Sequence, residues 1–234
     1  MALPILESNR YFCDLPVSKE KIEYRPFLVK EQKILLTALE SEDMNEVNHS
    51  ILDLLRNCVL NEVNFDKLPI SDIEYLFIQL RIKSVGETSD IKLACQNCEE
   101  FNDIVVNLDE ISLDGEIKDG VINLTDSVSI KFRAPSFKDL PTDTNVDNAD
   151  IESIFEIMRN CVECITQGEE VFTHDDFNHN ELQEFFDNLN TDQFTEIQQF
   201  FVDIPRVKSV VNFNCSKCDH QNERELAGLQ DFFV

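Results

Sequence analysis

The chain has 234 residues and carries 20 Lys and Arg against 46 Asp and Glu, a net charge of −26. Such a surface repels a phosphate backbone, which excludes the common forms of nucleic-acid binding and disfavours an anionic membrane, while a basic protein partner is attracted. Hydrophobic residues make up 42%, with 18 Phe, enough for one full core or two small ones and too much for global disorder.

No apolar run approaches the ~20 residues of a membrane helix. The start, from Met1 to Glu7, has neither a basic region nor a signal-type apolar block. Export is therefore not expected, and the compartment should be a reducing one. In a reducing compartment the eight Cys point to thiols or metal ligands rather than disulfides. The five Gly form no phosphate loop and no dinucleotide fingerprint.

In chain order, residues 1–23 read as an extended arm with Pro4 and Pro16. Phe27 to Glu40 reads as a helix with Leu28, Leu35, Ala38 and Leu39 along one side. Val47, Ile51, Leu54, Leu55 and Cys58 recur at steps of three and four, the apolar stripe of a second helix. Ser71-Asp72-Ile73-Glu74 has the capping-box pattern and opens a third, with Ile73, Leu76, Phe77 and Leu80 inward. Ile91 to Leu93 and Ile104 to Val106 are β-prone runs on either side of Cys95-Gln96-Asn97-Cys98. Asp114-Gly115 and Asp119-Gly120 are hairpin-turn pairs, and Val128, Ile130 and Phe132 alternate as in a half-buried strand. Residues 138–150, polar and acidic around Pro141, read as a linker. A second helical block follows. Ile151, Ile154, Phe155, Met158, Cys161, Val162 and Ile165 form one face; Leu182 to Leu189 and Phe194 to Ile204 carry two more. Val207 to Phe213 then leads to Cys215-Ser216-Lys217-Cys218 and an acidic tail. Its end, Leu229 to Val234, suits either a docking peptide or a terminal strand.

The two helical blocks share landmarks in one order. Arg56-Asn57-Cys58-Val59 recurs as Arg159-Asn160-Cys161-Val162, and Arg81-Ile82-Lys83-Ser84-Val85 as Arg206-Val207-Lys208-Ser209-Val210. Tyr24-Arg25-Pro26-Phe27 stands beside Phe132-Arg133-Ala134-Pro135, and each copy ends in C-x-x-C. The second copy is longer by about 22 residues between its Cys and its Arg. This predicts an α+β fold, mostly helical. Two pseudo-repeated helical units would each end in a β-hairpin C-x-x-C knuckle, the knuckles joined as one zinc-ribbon-like site. The divisions are an N-terminal arm at 1–23, a first unit at 24–137, a linker at 138–150 and a second unit at 151–234.

Cys95 and Cys98, with Cys215 and Cys218, are the candidate metal ligands. A C-x-x-C turn aims two sulfurs at one point, and two such turns supply the four soft ligands of a closed structural Zn²⁺ site. The long separation between the pairs, 117 residues, fits if repeated halves bring equivalent turns together. Four reduced surface thiols are the plainer alternative, and His220 could replace one sulfur. Cys161 and Cys164 also spell C-x-x-C, but on a helix face; with Cys58 they read as small buried apolar residues. Cys13 is uninformative.

Catalysis is unsupported. His49 stands alone. His174, Asp175, Asp176 and His179 suit a solvated loop better than a metal cluster, and no nucleophile elbow is present.

The run from Tyr24 to Lys33, then Asp72 to Phe77, Arg81 to Glu87 and Cys95-x-x-Cys98 resembles the baseplate hub proteins of T4-like tailed phages, a family with a hub subunit and a related hub assembly protein. Ala2-Leu3-Pro4 to Leu15-Pro16 is similar as well. The resemblance covers most of the chain and is strongest across residues 1–100. It implies a place in building the central hub of a contractile-tail baseplate, with other hub proteins as partners, and it implies no chemistry. It leaves open whether the protein stays in the virion tail. The resulting reading is a non-enzymatic hub protein or assembly factor that works by protein–protein binding. Two rivals remain: an acidic zinc-ribbon regulator of a basic host or phage protein, and a metal-dependent hydrolase using His174, Asp175, Asp176 and His179.

Overall fold

A computed structural model describes residues 8–40, 44–115, 118–140 and 151–227. The tail from Leu229 to Val234 and most of the expected linker lie outside them. The described chain is 39% helix and 30% strand, with six α-helices and four sheets. This corrects the expected fold: the protein is not mostly helical, and the described residues show no zinc-ribbon-like pattern. The strand content was underestimated because several strands are short or half-buried, with little of the alternation that marks a strand in sequence.

The described residues fall into two compact units, one made of those within 1–114 and 206–227, the other of those within 115–205. These cut across the division read from the repeat, because the C-terminal hairpin belongs with the first unit.

The first unit opens with an antiparallel hairpin, β1 (Tyr11–Asp14) and β2 (Lys21–Tyr24). Within the described part of the expected arm, the chain is thus packed structure: Leu15 and Ile22 are fully buried, while residues 1–7 lie outside the described residues. Lys19 takes a positive φ of 62° to close the turn, a signal the sequence hides because the residue is neither Gly nor Asn. Three helices follow: α1 (Val29–Glu40), α2 (Met44–Cys58) and α3 (Ile70–Ser84). The α2 stripe is buried as its spacing requires, through Val47, Ile51, Leu54, Leu55 and Cys58.

The expected capping box of α3 does not form. Pro69 holds the N-cap position, and Ser71 lies one residue inside the helix. Its hydroxyl is buried without a hydrogen-bond partner among the described residues. Asp72 is fully buried, and its carboxylate accepts the N–H groups of Val17 and Ser18, each at 2.8 Å, which ties the first hairpin to α3. Tertiary bonding has overridden the local pattern.

Next comes a long hairpin, β3 (Thr88–Ala94) with β4 (Phe101–Asn107). The short β5 (Ser112–Asp114) then pairs with β10 (Arg206–Asn214), which itself forms a hairpin with β11 (Gln221–Ala227). Asp114-Gly115 is therefore where the chain leaves this unit, not a hairpin turn.

The second unit is a four-stranded antiparallel sheet in the order β6 (Val121–Asn123), β7 (Val128–Phe132), β8 (Val162–Gln167) and β9 (Glu170–Thr173). It carries α4 (Ile151–Asn160), α5 (His179–Asp187) and α6 (Thr191–Asp203). Ile130, Phe132, Met158, Val162, Leu182, Phe186, Ile197 and Phe200 belong to its core. Phe132 sits at the centre of an aromatic set, 5.8 Å from Phe200 and 5.3 Å from Phe201 by ring centroids. The continuous helix face expected from Ile151 to Ile165 is broken. The helix stops at Asn160, and Val162 to Gln167 is strand. Gly120, before β6, has φ +76°, and a Cβ there would lie 1.9 Å from the Phe132 carbonyl oxygen, so only glycine fits. Among the described residues, no helix is long and apolar enough to cross a membrane.

Candidate metal centre

Both C-x-x-C segments are hairpin tips. Cys95 donates its N–H to the Glu100 carbonyl at 2.9 Å and accepts from the Glu99 N–H at 2.9 Å; Cys215 does the same with His220 and Asp219, at 2.9 and 3.0 Å. Glu99 and Asp219 both have positive φ, 59° and 56°. The tips of β3–β4 and β10–β11 meet, all within the first unit. Cys95 Sγ lies 3.7 Å from Cys218 Sγ, and Cys98 Sγ lies 3.6 Å from Cys215 Sγ. All four sulfurs are within 4.8 Å of one another. A regular tetrahedron with ~2.3 Å metal–sulfur bonds has sulfur–sulfur edges of ~3.8 Å. The observed edges fit such a centre and are far too long for disulfide bonds. The four cysteines can therefore hold a metal ion.

Backbone N–H groups favour the thiolate at Cys95 and Cys215, whereas the Cys98 thiol, against the Glu100 N–H, is pushed up to about 12, chiefly by its hydrogen bond to Cys218. The N–H groups of Asn97 and Lys217 point at Cys95 and Cys215 Sγ, each at 3.4 Å, and the Asn97 and Asn102 amides reach Cys218 and Cys215 at 3.7 and 3.8 Å. Burial pushes the Cys95 thiol up, but the Asn97 and Cys98 N–H groups outweigh it and hold the group down at about 6. The Cys215 thiol is lowered as well, chiefly by the Lys217 N–H.

Two residues missed in the sequence complete the joint. Asn102 accepts the Ser216 N–H through its side-chain oxygen at 2.8 Å, and Asn222 accepts the Gln96 N–H at 2.8 Å. Each hairpin thus grips the other's knuckle. The signal was available: each C-x-x-C is followed by Asn four residues after its second Cys, at Asn102 and Asn222. Lys217 adds an ion pair with Glu100 across the tips at 2.6 Å.

The first hairpin has the same turn without sulfur. Leu15 donates to the Glu20 carbonyl at 2.8 Å and accepts from the Lys19 N–H at 3.1 Å, so Leu15 and Ser18 stand where a knuckle has its two cysteines. The turn itself therefore does not demand cysteine.

The remaining candidates do not gather. His220 contributes its backbone carbonyl to the knuckle, and the cluster consists of cysteines alone. Asp176 accepts from the Thr173 N–H, His174 lies tilted against the Phe177 ring and His179 begins α5; they form no metal-sized group among the described residues. Cys58 and Cys161 are fully buried, and burial pushes both thiols up to about 12, which leaves them inert. Cys164 lies half-buried on β8 rather than on a helix.

A protein whose two hairpin tips are joined through four cysteines is what these features describe. Residues 8–234 match the family described as T4 bacteriophage base plate protein, and the chain belongs to that family. Membership gives it a structural role in a phage baseplate, a place in the virion tail and baseplate proteins as partners. No curated protein matches the chain. No solved structure matches it either.

Proposed function

We propose that this protein helps to build the central hub of the baseplate by protein–protein binding, holding its neighbours in register while the tail assembles, and that its four-cysteine cluster carries one structural Zn²⁺. The family match over residues 8–234 carries the first part of this reading. The net charge of −26 supports a basic protein face as partner, and prior positioning of subunits lowers the entropic cost of joining them. The four-sulfur set with its N–H donors supports the second part: a closed Cys₄ set leaves no open position for substrate and suits Zn²⁺. Phage carrying a stop codon early in this gene are expected to accumulate tail proteins but no completed hub. Normal hubs in that mutant would refute the role. Metal analysis of purified protein should give one zinc per chain, lost in both Cys95→Ser and Cys215→Ser. Full zinc in either variant would refute the shared site.

A further inference from the structure

We infer that the four-cysteine cluster is a conditional clasp: the ion locks the tip of β10–β11 to the tip of β3–β4, and without it this joint opens while the roots of both hairpins and the second unit stay folded. The inference rests on the metal reading above and goes beyond it, because a site can hold an ion without the local fold depending on it.

The make-up of the joint carries the argument. Across residues 94–103 and 214–223 the buried residues are Cys95, Asn102, Cys215 and Asn222. None is aliphatic or aromatic, and Phe101 is 68% exposed. The hydrophobic effect, which holds most packed elements together, therefore contributes little here. The direct links across the joint are the two Asn–N–H bonds, the Gln96 amide to the Glu223 carbonyl at 3.3 Å, the long Asn97 and Asn102 amide contacts to sulfur and the exposed Lys217–Glu100 pair, each of modest net worth. Thiols are weak hydrogen-bond donors, so four sulfurs without an ion make a poor core. The roots differ. Val207 and Leu226 are buried at the base of β10–β11, Ile91 and Val106 along β3–β4, and β10 is paired there to β5. The first hairpin shows what an ion-independent anchor looks like: the same turn is held by buried Leu15 and by the Asp72 carboxylate. Binding of the ion thus completes the folding of the tips, as in small metal-organised modules.

Hydrogen exchange on the full chain, with zinc and after chelation, tests this when zinc content is measured on the same samples. Exchange in peptides covering 93–102 and 213–222 is expected to rise about tenfold or more on zinc removal, and to recover when zinc is restored. Peptides from α3, β7 and α6 are expected to stay unchanged. Unchanged tips in protein shown to have lost its zinc would overturn the clasp and leave the metal site standing. Loss of protection throughout the chain would also overturn it, because the ion would then support the whole fold. Protein that never takes up zinc would overturn the metal reading and the clasp together.

Discussion

Arg25 and Arg133 do the same work in two places. Arg25 bonds Glu31 at 2.7 Å and the Asn57 carbonyl at 3.0 Å; Arg133 bonds Asp139 at 2.6 and 2.8 Å and the Asn160 carbonyl at 2.9 Å. Each backbone N–H, moreover, donates to the carbonyl of a buried Cys, Cys58 or Cys161. The arginines and cysteines were visible as repeat landmarks. The acids were not, because one is Glu and the other Asp, and only the spacing of six residues from the Arg is shared. Removing either Arg takes the principal cation from a buried carboxylate, leaving Glu31 with Lys30 at 3.7 Å and the Leu28 N–H, and Asp139 with Ser136. Arg25→Met is expected to cost about 3–5 kcal/mol in denaturant unfolding, and Arg133→Met about 2–3, because the Arg133 side chain is 37% exposed against 18% for Arg25. The reverse order would refute this ranking. Both carboxyls work against burial and are held below their ordinary values of 4.5 and 3.8, chiefly by their arginines. Their contribution is complete above those values and fades as the pH falls through the depressed ones. Glu74 has the opposite sign. Burial pushes its carboxyl from 4.5 up to about 7, against the Val207 N–H and Arg206. Its contribution is full below 4.5 and lost as the pH rises through about 7. Glu74→Gln should therefore raise stability by up to roughly 3 kcal/mol near pH 8 and leave it unchanged near pH 4. Thermal melts at the two pH values check this; equal gains at both would show that the shift is absent.

Among the elements, long periodic helices were legible and short strands were not. The α2 stripe and the alternation of Val128, Ile130 and Phe132 appear where the spacing puts them. Residues 161–165 do not, because a short apolar run fits helix and strand alike. Pairing with β7 and the turn at Gly168, with φ +62°, decide for strand. The first hairpin shows the same limit, since what holds it lies more than fifty residues away in Asp72. Loss of that carboxylate leaves the Val17 and Ser18 N–H groups unpaired and a small void at the start of α3. Asp72→Ala is expected to cost about 2–4 kcal/mol. Limited proteolysis should then cut first within residues 8–24. Survival of that hairpin in a destabilised variant would show that Leu15 and Ile22 alone hold it.

At the scale of the whole molecule, the repeat could not show that both knuckles belong to one unit. Residues 115–205 stand between two strands of one sheet, and sequence order conceals that. Asp114 and Arg206 are paired residues on antiparallel strands. The second unit therefore departs and returns across one strand spacing, about 5 Å. Its own ends also lie close: the nearest heavy atoms to a Cβ built on Gly115 are Asp203 O and Pro205 Cα, both at 2.8 Å. Each unit has its own buried core, and the crossing is covalently simple. Replacing 115–205 by Asn-Gly would give β5 and β10 the two-residue turn that antiparallel neighbours favour. The shortened chain is expected to melt cooperatively and to bind zinc with the same stoichiometry as the full protein, because all four sulfurs lie in the remaining unit. The excised 115–205 segment, expressed alone, should keep helix and strand signals in circular dichroism. A shortened chain that is unfolded with zinc present would show that the first unit needs the second to fold.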